Sequence, residues 1–116
     1  FRLVGRIANE ELSNYYRQAD FTIVPSLCYE NSPKVIDESL VANVPVIAAD
    51  IGGVPEMIKD DYNGFTFAAG DADNLVSVLN HFINHPETID KLKKNSFTSV
   101  HNLSVGNYIK KLLSLI

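Results

Sequence analysis

Four short apolar runs lie within the first 70 residues, separated by longer stretches that mix apolar and polar positions. The runs cover residues 1–4, 21–24, 46–49 and 65–68. The run over residues 21–24 lacks strict alternation of apolar and polar residues, a pattern typical of a parallel strand covered on both faces. Pro25 ends the second run, because proline cannot donate a hydrogen bond to a neighbouring strand. Strands and helices are thus expected to alternate, which predicts an α/β fold with a parallel sheet, right-handed crossovers and flanking helices.

Capping residues indicate where the helices between these strands begin and end. Asn9 is predicted to cap the first helix, whose apolar face recurs at helical spacing: Leu12, Tyr15, Tyr16 and Ala19. Ser32 followed by Pro33 is typical of a cap and a first helical residue. Asn43 is expected to end that second helix in the left-handed conformation, since Pro45 prevents its continuation.

Three amphipathic helices are predicted after the last strand, within residues 71–116. Asp71 or Gly70 begins the first, Pro86 the second, and Ser104 the third. Their apolar faces are, in chain order, Leu75, Val78, Leu79, Phe82 and Ile83; Ile89, Leu92 and Ser96; Val105, Tyr108, Ile109, Leu112, Leu113 and Ile116. We expect βα units over about residues 1–70, and terminal helices over about 71–116 that pack on the sheet or on a further domain.

Ligands of open parallel sheets bind beyond the carboxyl ends of the strands, which selects the loops over residues 26–32, 50–55 and after Phe67. The first loop is the richest in polar groups. Glu30 lies in it, Glu38 lies inside the following helix, and the helix N-terminus between them favours a phosphate. A carboxylate within a helix can accept hydrogen bonds from both hydroxyls of a ribose. Together these groups suit a sugar–diphosphate–nucleoside.

A simpler interpretation of the same residues is a solvated surface. Lys34 and Glu38 are four apart on a helix and can form a surface ion pair, while Glu30 and Asp37 can be solvated. Likewise, Gly52-Gly53 after a strand is either an ordinary turn or a place where backbone approaches a ligand closely. The spacing of the two glutamates alone does not decide between these interpretations.

Composition excludes several classes of protein. The chain has 116 residues with 46% apolar and 21% charged residues, which fits one globular domain or part of one. Its net charge of −4 includes no basic run, so we expect no nucleic-acid partner. The single cysteine, Cys28, excludes an internal disulfide and is expected to be a small, partly buried residue. The three histidines lie away from the selected loops and are interpreted as packing or surface residues: His81, His85 and His101.

An ordered series of short motifs runs from about residue 5 to residue 86. It comprises Val4-Gly5-Arg6, Glu11-Leu12 with Tyr16, Ala19-Asp20, Val24-Pro25-Ser26, Glu30 with seven intervening residues to Glu38, Pro45-Val46-Ile47-Ala48, Gly52-Gly53-Val54-Pro55-Glu56, Asn63-Gly64 and Gly70-Asp71. In this series the chain resembles the donor-binding domain of retaining, family 4-like glycosyltransferases (glycosyl transferases group 1). The resemblance implies a Rossmann-like domain within the C-terminal half of a GT-B fold.

The resemblance also implies roles for the residues of the first loop. Glu30 corresponds to a catalytic acid near the donor sugar, and Glu38 to the acid that binds the ribose hydroxyls. The donor-binding backbone just after the first acid corresponds to five residues: Asn31, Ser32, Pro33, Lys34 and Val35. The Lys34 side chain is expected to point to solvent rather than to a phosphate. Gly52 and Gly53 form a candidate ligand loop, and neither a metal nor another cofactor is expected.

Further expectations concern the protein to which this chain belongs. The chain begins without methionine, and we interpret it as the later part of a donor domain whose N-terminal acceptor domain and cationic groups precede it. We therefore expect the chain alone to be inactive. Alternatives are a non-catalytic nucleotide-sugar-binding or assembly module of the same fold, and a nucleotide-sugar epimerase. A cytoplasmic location is expected, and any peripheral membrane contact is attributed to the preceding part.

Overall fold

A computed structural model describes residues 2–101 and 105–115 of the chain. Three parallel strands form one sheet in the order β1-β2-β3, with helices on both faces. This confirms the predicted α/β fold. The elements in chain order are α1 (Asn9–Gln18), β1 (Thr22–Val24), α2 (Lys34–Val41), β2 (Val46–Asp50), α3 (Val54–Met57), β3 (Gly64–Ala68), α4 (Ala72–Asn84), α5 (Glu87–Val100) and α6 (Val105–Leu113).

The central strand β2 divides the core into two layers. Because successive side chains of a strand point to opposite faces, Val46 and Ala48 contribute to one layer and Ile47 and Ala49 to the other. The first layer is completed by α2 and the short α3, with Ile36, Leu40, Val54 and Ile58. The second is completed by β3, α4 and α5, with Phe67, Phe82 and Leu92. Helices on both faces therefore hold the strand ends, and the loops that follow them, in fixed positions.

The strand β1 lies at an edge of the described sheet, and Ile23 is 42% exposed. The expectation that this strand is covered on both faces is therefore wrong. Residues 2–4, predicted as a strand, have no regular structure, and Leu3 is 86% exposed. A strand needs a neighbour for its backbone groups, and residues 2–4 have none among the described residues. Phe1, also part of that predicted strand, lies outside them.

Several helix predictions hold and others need correction. Asp71 caps α4 by accepting the backbone N–H of Asn74 at 2.9 Å, and Asn43 has the predicted left-handed φ of 61°. The caps of the first two helices differ by one residue from the prediction, because Ala8 precedes α1 and Pro33 precedes α2. Neither residue has a side-chain oxygen, and the structure shows no side-chain cap bond at either position.

Burial is where helical periodicity misled most. No residue of α1 is buried, and Tyr15, on the predicted apolar face of this helix, is 44% exposed. Ile83, assigned to the apolar stripe of α4, is 74% exposed, and Cys28 is exposed rather than partly buried. Periodicity identifies which residues share a face of a helix, but it does not show whether another element covers that face.

The last helix, α6, exposes the part of its predicted apolar face that the structure describes. Ile109, Leu112 and Leu113 are between 45% and 64% exposed. Ser104, Ile116 and the side chains of Val105 and Tyr108, which complete that prediction, lie outside the described residues. None of the helices in the described ranges is long and apolar enough to cross a membrane.

Candidate functional site

The loops that follow the three strands meet at the carboxyl edge of the sheet. The N–H of Gly53, after β2, donates to the carbonyl oxygen of Glu30, after β1, at 2.9 Å. A Cβ atom added at Gly70, after β3, would lie 3.7 Å from the Leu27 side chain. The three loops selected from the sequence are therefore brought together, as parallel topology requires.

The glycine pair after β2 allows this close approach. A Cβ atom at Gly52 would lie 2.5 Å from the carbonyl oxygen of Glu30, and one at Gly53 only 1.9 Å from that of Asn31. Gly52 also has a φ of +61°, a conformation that other residues rarely adopt. The space that side chains at Gly52 and Gly53 would need is thus occupied by the backbone of the loop that carries Glu30. Contact between the glycines and a ligand stays a prediction.

Glu30 combines a fixed backbone with a free carboxylate. Its carbonyl oxygen accepts the Gly53 N–H, while its side chain is exposed and has no hydrogen-bond or ion-pair partner among the described residues. A loop residue held in this way offers an ionised acceptor at the sheet edge without first breaking a protein contact. This arrangement is compatible with a role on a bound sugar.

The N-terminus of α2 follows directly after this loop. Pro33 is buried and occupies the cap position, and the N–H of Ile36 donates to its carbonyl oxygen at 3.0 Å. The N–H groups of Lys34 and Val35 come before the first bond within the helix and can donate to an anion. Of the remaining predicted donor-binding residues, Asn31 and Ser32 are exposed beside this helix end.

Glu38 lies one turn further along α2, and it contacts α1. The hydroxyl of Tyr16 donates to Glu38 Oε2 at 3.2 Å. Lys34 is exposed, and the ion pairs of the described residues do not include one between Lys34 and Glu38. The surface ion pair considered from the sequence is therefore absent from this part of the chain, and a tyrosine takes its place.

The Tyr16–Glu38 contact borders a cleft of about 630 Å³ between α1 and α2. Its polar lining comprises Asn9, Ser13, Tyr16, Arg17, Glu38 and Asn43. Burial, and then the charge and hydrogen bond of Glu38, raise the pKa of Tyr16 above its usual range. The hydroxyl therefore stays protonated at neutral pH and can donate to the carboxylate. Sequence analysis missed this pairing, because it joins residues 22 apart that belong to different elements.

Asp37 is a second acid that the sequence left as a solvated residue. It is half-buried, and its Oδ1 atom is buried without a hydrogen-bond partner among the described residues. Burial, and then the neighbouring charge of Glu38, raise the pKa of Asp37. Asp37 lines a smaller cleft of about 330 Å³ with Asn31, Ser32 and Glu56. Two adjacent carboxylates on α2 thus face different surroundings.

The histidines lie in the packing and surface positions expected for them. His81 lies against the rings of Phe65 and Phe82, and His101 against that of Phe97. His85 Nδ1 lies 3.4 Å from the Glu87 carboxylate, with both side chains mostly exposed. Within residues 2–101 and 105–115, no group of three acidic, histidine or cysteine side chains could hold a metal ion. That a metal takes no part stays a prediction.

Comparisons with known proteins agree with this architecture. The chain is 31% identical over 113 residues to a D-inositol 3-phosphate glycosyltransferase from Thermobifida fusca, which covers 97% of this chain and 26% of that protein. The sucrose-phosphate synthase structure from Thermosynechococcus elongatus matches with a TM-score of 0.82 and 27% identity, over 99% of this chain and 31% of that one. This chain therefore spans between a quarter and a third of the length of either protein.

A third comparison shows the fold alone. The structure of Anabaena HepE in complex with UDP and glucose has a TM-score of 0.82 at 24% identity, covering 99% of this chain and 32% of that one. The shared architecture is the C-terminal half of the GT-B fold, as the sequence predicted. The family model described as glycosyl transferases group 1 matches residues 1–98. The chain belongs to the glycosyl transferases group 1 family.

Proposed function

We propose that the protein containing this chain transfers a sugar from a nucleotide diphosphate-sugar to an acceptor with retention of configuration, and that this chain supplies the donor side. The observation that carries the proposal is that Glu30 lies in the loop before the α2 N-terminus and Glu38 lies one turn inside α2, in a chain of this family. Such a donor has three parts: a sugar, a diphosphate and a ribose. Glu30 in the loop, the N-terminus of α2 and Glu38 within α2 each offer a contact to one of them.

Each part of the donor has a chemically suitable partner. The Glu38 carboxylate accepts hydrogen bonds from the ribose hydroxyls, and the N–H groups of Lys34 and Val35 donate to the diphosphate, which the helix dipole also favours. Glu30 lies near the sugar and stabilises positive charge as the bond to the leaving diphosphate breaks. No metal is required in this proposal.

The chain provides only part of the site in this proposal. The cations that neutralise the leaving diphosphate and the domain that binds the acceptor belong to the preceding part of the protein. We therefore expect no sugar transfer by residues 1–116 alone. Detection of sugar transfer by this chain in isolation would show that the chain does not need those cations or that acceptor-binding domain, and would refute this part of the proposal.

The ribose assignment is tested by nucleotide binding to the protein that contains this chain. Calorimetry with uridine, guanosine and adenosine diphosphates first identifies the base that binds. Glu38→Ala is then expected to weaken binding of that nucleotide by about 10- to 100-fold, since hydrogen bonds to a charged group contribute roughly 1.5–3 kcal/mol.

Glu87→Ala is a matched control, because Glu87 is also an exposed helical glutamate but lies at the start of α5. Its affinity for the nucleotide is expected to equal that of the wild type. Unchanged affinity in Glu38→Ala, measured beside this control, would remove the ribose-binding role from the proposal.

A further inference from the structure

The hydroxyl of Tyr16 contacts the one acid of the proposed site that has a hydrogen-bond partner among the described residues. It donates to Glu38 Oε2 at 3.2 Å, whereas the Glu30 carboxylate has no partner in the same part of the chain. We propose that Tyr16 is a positioning residue, which holds the Glu38 carboxylate in the orientation that accepts the ribose hydroxyls. This inference rests on the function proposed above.

The geometry leaves Glu38 able to bind a ligand while Tyr16 holds it. An ionised carboxylate has about four acceptor positions, and the tyrosine hydroxyl occupies one of them on Oε2. Among the described residues, Oε1 has no donor, so that oxygen and the remaining positions on Oε2 are available to a diol. Both residues line the cleft of about 630 Å³ between α1 and α2.

Positioning matters for Glu38 because its side chain is otherwise free. Glu38 is exposed, and a glutamate loses much of its rotamer freedom when a ligand fixes it. A hydrogen bond already formed in the free protein reduces that loss on binding. The tyrosine ring is half-buried on α1, so the hydroxyl is presented from a restrained side chain.

A competing explanation is that the same contact only attaches α1 to the rest of the fold. No residue of α1 is buried, so few other interactions hold this helix in place. A purely structural attachment and a positioning role both predict some loss of stability in Tyr16→Phe. They differ in ligand discrimination, because only a positioned Glu38 distinguishes a ribose from a deoxyribose.

The test compares UDP with 2′-deoxy-UDP, or the corresponding pair for the base that binds, on the protein that contains this chain. Tyr16→Phe removes the hydroxyl and retains the ring. We expect its affinity for the ribonucleotide to fall about three- to tenfold, its preference for ribose over deoxyribose to fall by a similar factor, and kcat to change less than about twofold. Tyr15→Phe, at the adjacent and more exposed tyrosine, is the matched control. Its affinity for the ribonucleotide, its preference for ribose and its kcat are expected to equal those of the wild type.

The double variant Tyr16→Phe/Glu38→Ala completes a cycle. If Tyr16 acts through Glu38, adding Tyr16→Phe to Glu38→Ala changes affinity less than about twofold. An unchanged ribose preference in Tyr16→Phe, or an equal effect of Tyr16→Phe with and without Glu38, overturns the inference and leaves the proposed function intact. If Glu38→Ala itself has no effect, the ribose assignment fails first, and the positioning role fails with it.

Discussion

Replacing Gly53 with alanine is expected to displace the loop that carries Glu30. The added Cβ atom would lie 1.9 Å from the carbonyl oxygen of Asn31 and 2.8 Å from its carbonyl carbon. Non-bonded heavy atoms are most favourable at about 3.5–4.0 Å, so the loop must move by more than about 1 Å. The obstacle is backbone rather than the end of a flexible side chain, which means that a local rotamer change cannot relieve it.

The displacement is expected to cost both stability and activity. Overpacking costs roughly 1–3 kcal/mol, and loss of the 2.9 Å bond from the Gly53 N–H to Glu30 adds about 1 kcal/mol. A misplacement of about 1 Å at a reacting group can lower the rate by about 100-fold. Thermal unfolding measures the first effect, and kcat for transfer from the donor, in the protein that contains this chain, measures the second.

Gly106→Ala serves as the control, because a Cβ atom there has no other described atom within 4 Å. It is expected to match the wild type in kcat and to be as stable as the wild type or more stable by up to about 1 kcal/mol, since alanine is favoured over glycine within α6. A Gly53→Ala protein with wild-type stability and wild-type kcat would refute the reasoning, since it would show that the two loops need not touch in the active protein.

Three further predictions concern the framework of the site. Asn63→Ala should destabilise the domain by about 2–4 kcal/mol in urea unfolding, because the buried Asn63 side chain accepts from the Lys59 N–H and donates to Met57 and Ser99. Asn80 is exposed, so Asn80→Ala should have little effect on the free energy of unfolding. Equal losses of stability in the two variants would contradict this prediction. Asn43 has a φ of 61°, a left-handed conformation that glycine adopts without strain and valine does not. Asn43→Gly should therefore be neutral or stabilising by up to about 1 kcal/mol, whereas Asn43→Val should be destabilising. The opposite order of melting temperatures would show that backbone strain at this position does not affect stability. Folding raises the pKa of Asp37, so its ionisation opposes folding at neutral pH. Asp37→Asn should therefore raise the melting temperature at pH 7, and the gain should disappear as the pH falls below about 4. A gain that does not depend on pH would contradict this cause.

The order of the elements followed from the sequence, because each buried strand of a parallel sheet is a local apolar run bounded by proline, glycine or asparagine. The run at Val46 and the left-handed Asn43 before it are both determined within a few residues. How far β1 and α1 are exposed could not be predicted from the sequence in this way. Whether Ile23 or Tyr15 is covered depends on which other segments pack there, and local periodicity contains no such information.

The candidate site was likewise predictable only where it is local. Glu30 and Glu38 could be assigned to a loop and a helix because Pro33 separates them within the same segment. The contact of Glu38 with Tyr16 and the close packing of the Glu30 loop on Gly53 join separate segments of the chain. Such contacts arise from the packing of α1 and of the β2 loop, so they required the three-dimensional structure.

The central claim is that Glu30 takes part in transfer of a sugar from a nucleotide donor. Its most direct test measures kcat for transfer and the dissociation constant of the donor in the same preparations of wild type, Glu30→Ala and the control Glu87→Ala. We predict transfer by the wild type and the control, and a fall in kcat of about 100-fold or more in Glu30→Ala with a change in donor affinity below about fivefold. An unimpaired kcat in Glu30→Ala would contradict the account.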